Sequence, residues 1–231
     1  KDRGYVAIDL ADDVPAARGM TPDRKPVELD VLTRLLDAAS KSGNADRDVA
    51  LVAMLAGTGI RCEECASLLV SDITLRADGS GYAILRTTKL DKPRTVGIDA
   101  ATGLYLRPWV DILGASGRPL FPSRIGGGSK AITPGGAYKL VVRLAEYAGV
   151  RDEVRGAHDL RRMFATLWMR KLPGKGYGEL LQRQMGHVSF TTTQRYSLQD
   201  VDQVIQVMRN EAPSPMAQLA ELAGSQSLVK H

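Results

Sequence analysis

Cys62 and Cys65, the only two cysteines of the chain, sit in the run Thr58-Gly59-Ile60-Arg61-Cys62-Glu63-Glu64-Cys65, at a spacing that suits zinc or dithiol chemistry. Zinc normally takes four ligands, so this single pair would have to recruit two of the three histidines in the sequence. Two cysteines this close also staple no fold, which excludes a secreted disulfide scaffold and makes a reducing compartment the default expectation. The pair is read as small, soft packing residues on a helix turn, and Arg61 becomes the more informative member of the run.

Three further places carry reactive types. In His158-Asp159-Leu160-Arg161 the histidine and arginine stand three apart, a spacing that puts both on one helix face where a single anion fits between them. Gln184-Met185-Gly186-His187 places a Gly-His pair at a helix end. Tyr196 follows His187 by nine residues, after the hydroxyl run Thr191-Thr192-Thr193, which suits the opening of a short helix. Singly, each has a plainer role: a helix cap for His187, half-buried packing for Tyr196, helix decoration for His158 and Arg161.

Periodicity indicates what must position these groups. Residues 1–26 hold Pro15, Gly19, Pro22 and Pro26 without a sustained period, as in a linker or arm. From Val27 onward Val31, Leu32, Leu35 and Leu36 fall at helical spacing, and 48–56 is apolar enough for a buried helix that Gly57 and Gly59 end. A new helix opens near Arg61. Three short apolar or β-branched runs, 69–75, 81–86 and 94–98, are divided by turn-forming residues and predict a three-stranded antiparallel meander. Helical patterns follow over 102–113, 136–148, 158–171, 177–185 and 201–210, and residues 216–223 fit one amphipathic helix. The fold class expected is α+β, mainly helical with one small sheet.

The chain of 231 residues has 31 Lys plus Arg against 26 Asp plus Glu, a formal charge of +5. The basic residues concentrate between Arg151 and Arg195, which suits a polyanionic partner. No apolar run approaches the roughly 20 residues of a membrane helix, and the first ten residues lack the apolar core of a secretion signal; an intracellular setting without a membrane partner is expected.

Taken in order, Thr58-Gly59-Ile60-Arg61 with Glu64 and Leu68, a lysine in a strand turn, His158-x-x-Arg161, Gly186-His187 and Tyr196 resemble the catalytic domain of the tyrosine recombinase (phage integrase) family over residues 27–211. The resemblance implies that Arg61 and Arg161 are the two active-site arginines, Glu64 the buried support of Arg61, Lys89 the hairpin lysine, His158 and His187 the two histidines, and Tyr196 the nucleophile. Lys92 rivals Lys89, and the 26 residues from Arg161 to His187 exceed the usual separation, with residues 172–178 as the insertion. Arg124 and Lys130, flanking a glycine-rich loop, are candidate contacts to the DNA backbone.

The chemistry wants these types. Metal-free cleavage of a phosphodiester needs a nucleophile, neutralisation of the charge on the non-bridging oxygens and a proton for the leaving oxygen. A tyrosine hydroxyl, of unperturbed pKa about 10, needs a base or nearby cations. Guanidinium forks hold phosphate bidentately and stay charged, and each preorganised donor at the reacting centre is worth about 3 kcal/mol. The resemblance implies that His158 would accept the tyrosine proton, His187 donate to a phosphate oxygen and the lysine protonate the departing 5′ oxygen. The product implied is a covalent 3′-phosphotyrosine. No cofactor is expected: the sequence has neither a phosphate-binding Gly-x-x-x-x-Gly-Lys loop nor an acidic metal cluster.

The resemblance further implies a double-stranded DNA recombination site as partner, a tetramer on DNA from a monomer in solution, and a cytoplasmic, nucleoid-associated protein of bacterial or phage origin. Mobile-element integration or excision is the leading role. Residues 1–26 are expected to be an interdomain linker, 27–211 the catalytic domain, and 212–231 a tail whose helix packs into a neighbouring protomer; such a fragment or short member binds DNA weakly alone. The competing readings are a type IB topoisomerase, a catalytically dead DNA-binding domain, and a Cys-x-x-Cys metal or redox module.

Overall fold

Leu29–Ser40 (α1) turns Val31, Leu32, Leu35, Leu36 and Ala39 to one side, and that stripe lies against Ala45–Thr58 (α2), which is buried from Ala50 to Thr58. A helix apolar on nearly every side must be surrounded, and α2 is the element on which the others assemble. The computed structural model describes residues 27–86, 93–114, 117–123, 130–171, 178–186, 198–211 and 213–228. Gly59, in the left-handed conformation (φ 66°), ends α2 by returning its N–H to Leu55, and Cys62–Ser67 (α3) begins three residues on.

The sheet is the expected meander, with Ile73–Leu75 (β1), Gly81–Leu85 (β2) and Arg94–Ile98 (β3) in the order β1-β2-β3, antiparallel throughout. Register sets Ala83 opposite Val96 and Leu85 opposite Arg94, so Ala83, Leu85, Val96 and Ile98 are buried, as the period of two requires. The first strand is shorter than the 69–75 predicted. Leu69 only bridges Pro119 and Val70–Asp72 is a 3-10 turn, because the Asp72 carboxylate accepts the Leu69 N–H at 3.0 Å and folds the chain back.

Ala100–Leu113 (α4) starts earlier than its apolar pattern because Asp99 caps it, accepting the Thr102 N–H at 2.8 Å. Pro134–Tyr147 (α5) likewise starts on Thr133 with proline in its first turn. Ala157–Lys171 (α6), Gly178–Met185 (α7), Leu198–Asn210 (α8) and Pro215–Leu228 (α9) complete the order. α8 lies on β3, where Val204 and Ile205 face Gly97, and its ends are tied to the β1–β2 turn by the pairs Arg76–Asp202 and Asp78–Arg209. α9 packs on its own chain: Met216 is fully buried among α1, α2, α4 and α6. Among the described residues, no helix is long and apolar enough to cross a membrane.

Candidate active site

Arg61 is the residue before α3, in extended conformation. An arginine has no acceptor with which to cap a helix, so its conformation is held from the other side: Glu64 reaches back and accepts the Arg61 N–H at 2.8 Å, half of a capping box. The same carboxylate accepts from the Arg61 guanidinium at 3.2 Å and from the Arg94 guanidinium at 2.7 Å. Glu64 is 2% exposed, and a carboxylate this buried requires such partners.

The C-terminus of α7 gathers three arginines from three elements. Arg61 donates to the Gly186 carbonyl at 2.8 Å, Arg161 from α6 donates to Met185 at 2.8 Å, and Arg94 from β3 donates to Gln184 at 2.5 Å and Met185 at 3.2 Å. The last carbonyls of a helix lack intrahelical partners and carry its negative dipole end, which makes them a natural cradle for guanidinium groups. Arg161 spans two segments, since its other terminal nitrogen donates to the Gly59 carbonyl at 2.6 Å. Gly186 closes α7 at φ 68°, and a Cβ there would lie 2.5 Å from the Arg94 Nε; glycine is needed for both the turn and the approach.

Three arginines face one carboxylate, so the cluster keeps an excess of positive charge. Burial, then the neighbouring Arg61, holds the Arg161 guanidinium down to about 10, with Glu64 opposing and Arg94 adding to the shift; it remains charged at neutral pH. His158 sits one helical turn before Arg161, with its side chain at the surface. Partial burial of the ring, followed by the charge of Arg161, lowers its pKa below the usual histidine value, with Asp159 opposing and Arg162 and Arg61 adding smaller lowering effects. It is therefore a neutral imidazole near pH 7, able to take up a proton. Each terminal nitrogen of Arg61 and Arg161 carries two hydrogens and makes one of the hydrogen bonds above. The bonds therefore orient the two forks and leave donor capacity for an outside anion, whereas Arg94 is engaged with Glu64 and the α7 carbonyls. The arrangement suits binding a phosphodiester and moving a proton beside it.

The fold thus brings Arg61, Glu64, Arg161 and His158 into one cluster. Lys89, Lys92, His187, Tyr196 and Arg124 lie outside the described residues. Lys130 is exposed beside the bridge between Pro122 and Ala131. Cys65 is fully buried in the core and Cys62 donates to the Pro134 carbonyl at 3.5 Å. Burial raises both thiols, most strongly Cys65. Sequence reasoning missed Arg94 and Gln184. Arg94 gave no signal beyond opening a strand; Gln184 gave one, as the polar member of the otherwise apolar face Leu180, Leu181 and Met185.

The family model described as the phage integrase family matches residues 25–202. Tyrosine recombinase XerH of Helicobacter pylori is 33% identical over 155 residues, covering 65% of this chain and 41% of that protein. Tyrosine recombinase XerD of Corynebacterium glutamicum is 30% identical over 222 residues, covering 91% of this chain and 68% of that protein. Among solved structures, XerH bound to its difH substrate in a pre-cleavage complex superposes with a TM-score of 0.57 at 29% identity, over 73% of this chain and 48% of that one. The chain therefore spans less than half the length of the XerH proteins it matches.

Proposed function

Since the chain belongs to the phage integrase family, we propose that it is the catalytic part of a tyrosine site-specific DNA recombinase. The observation that carries this reading is the convergence of Arg61 and Arg161 on adjacent carbonyls where α7 ends, Gly186 and Met185, with neutral His158 one turn from Arg161. Two forks held by fixed backbone acceptors are preorganised, and preorganised charge is effective at a developing phosphorane because it needs no reorganisation during the reaction.

In this mechanism the Tyr196 Oη attacks the scissile phosphorus and its proton passes to His158. Arg61 and Arg161 hold the non-bridging oxygens, with His187 donating a further hydrogen bond. The bond from phosphorus to the 5′ oxygen breaks, Lys89 supplies the proton that makes this oxygen a hydroxyl, and a 3′-phosphotyrosyl ester forms. Attack by a 5′-hydroxyl of a second duplex reverses each transfer and joins the strands in a new combination.

The same reading makes 27–211 the catalytic unit and a double-stranded recombination site the substrate, acted on by a tetramer. For a bacterial or phage protein this places it in the cytoplasm at the nucleoid. XerH, a relative, has been crystallised on its difH site, which supports DNA as the partner here. Exchange of α9 between protomers would require Met216 to leave its buried position. Both integration or excision of a mobile element and resolution of chromosome dimers are compatible with the site.

The test is covalent capture. Nicked duplexes from a randomised pool are incubated with the chain, and DNA retained through denaturation is sequenced. A protein–DNA adduct that forms in chelator and is lost in Tyr196→Phe is expected; no adduct from any pool overturns the proposal. With a selected site in hand, relaxation of supercoils without exchange between two sites would favour a type IB topoisomerase instead.

A further inference from the structure

We propose that Gln184 is a positioning residue that fixes the carbonyl cradle of the two active-site arginines by locking the end of α7 to the edge strand β3 and to the end of α2. This rests on the recombinase reading above. Gln184 is fully buried. Its side-chain oxygen accepts the Gly97 N–H at 2.9 Å, and its nitrogen donates to the Gly97 carbonyl at 3.0 Å and to the Thr58 carbonyl at 3.1 Å. Only this orientation of the amide satisfies all three; reversed, its oxygen would face two carbonyls.

The partners are chosen by the fold. β3 is an edge of the sheet, and an edge strand presents N–H and C=O groups that need a partner. Gln184 answers both groups of Gly97 with one amide, as a neighbouring strand would. The other side of Gly97 is closed by α8, where an added Cβ would lie 3.1 Å from Val204 and 3.2 Å from Ile205, so strand and helix are in close contact there. Thr58 is the last residue of α2, three before Arg61, and its carbonyl is the third anchor.

The main chain of Gln184 reinforces the lock, because its own carbonyl takes Arg94 from the same strand at 2.5 Å. Met185 and Gly186, the next two residues, are the acceptors of Arg161 and Arg61. Loss of the amide would leave three buried backbone groups without partners and free the helix end that orients both forks. Gln184 touches no reacting atom in this scheme; it acts through the arginines.

The experiment compares wild type, Gln184→Met, Gln184→Glu and Gln184→Asn on the nicked duplex selected by covalent capture, measuring single-turnover adduct formation and DNA affinity separately. Gln184→Met, similar in shape and without the amide, is expected to slow adduct formation by about 100-fold, as a small misplacement of catalytic groups does, while affinity changes by less than about threefold, since backbone contacts spread over the interface supply most of it. In Gln184→Glu a buried carboxylate faces the Thr58 and Gly97 carbonyls at high pH, whereas the protonated form donates one of the lost bonds. Its rate relative to wild type should therefore rise as pH falls at a constant folded fraction, followed by circular dichroism, a dependence that loss of folding alone would not produce. Gln184→Asn, too short to reach both anchors, covers failure of either variant to fold and is expected to lose rate with affinity kept. Wild-type rates in the folded variants, or loss of rate and affinity in equal measure with a flat pH ratio, overturn the proposal. Absence of adduct with wild type sinks the recombinase reading itself, a result distinct from these.

Discussion

The buried carboxylate of Glu64 bonds the Arg94 guanidinium at 2.7 Å across 30 residues of sequence, while its Oε2 also accepts the Arg61 N–H. One acidic group therefore sets both the start of α3 and the position of β3. Glu64→Gln keeps an acceptor for the Arg61 N–H but removes the charge between two arginines. A loss of about 3 kcal/mol of stability is expected, the usual cost of breaking a buried pair from one side, read from the chemical denaturation midpoint.

Arg161 bridges the Gly59 and Met185 carbonyls with its two terminal nitrogens. A lysine keeps the charge but is a single point donor and cannot span both. Adduct formation by Arg161→Lys should fall about 100-fold or more, comparable to losing one preorganised donor at a reacting centre, with binding at low salt largely kept.

His158 titrates below the usual histidine range, chiefly because its ring is partly buried and then because Arg161 and other cations lie near. The unfolded chain therefore takes up this proton first as pH falls, so the His158 contribution to stability is full above about 6.5, the unperturbed value, and declines through the window down to the folded pKa. If His158 is the base, the acid limb of the cleavage profile lies in that lowered range. Arg162→Gln removes one of the depressing charges and should raise the His158 pKa, measured by proton NMR with His158→Gln for assignment. An unchanged value would remove Arg162 from the account.

Binding to the selected duplex should weaken steeply and linearly in log affinity against log salt, because displaced counterions dominate the affinity. A flat salt dependence, measured by fluorescence anisotropy, would argue against a phosphate-gripping surface.

α9 is seated on its own chain through fully buried Met216. Met216→Ala should cost about 3 kcal/mol, the range for emptying a core methionine. If α9 also joins protomers on DNA, removing residues 215–231 abolishes cooperative assembly on a two-site duplex in gel-shift titrations; cooperativity unchanged by the truncation counts against exchange.

Local pattern was enough for the elements. The helical spacing of Val31, Leu32, Leu35 and Leu36, the apolar run of α2 and the alternation in β2 and β3 are each visible because side-chain periodicity is a property of neighbours in sequence. Boundaries slipped where a single side chain decided them, at Asp72, Asp99 and Thr133. The sequence by itself also determined the family, since the order Arg61, Glu64, His158-x-x-Arg161, Gly186-His187 and Tyr196 survives without coordinates.

What only the tertiary structure decided is how the arginines are held. Arg61 meets Gly186 across 125 residues, and Arg94 meets Gln184 across 90; no local spacing encodes such pairs. The acceptors are main-chain carbonyls, which every residue possesses and which the identity of Met185 or Gly186 does not announce. Their availability comes from helix α7 ending at that point, and their direction from β3 and α2 packing there through Gln184.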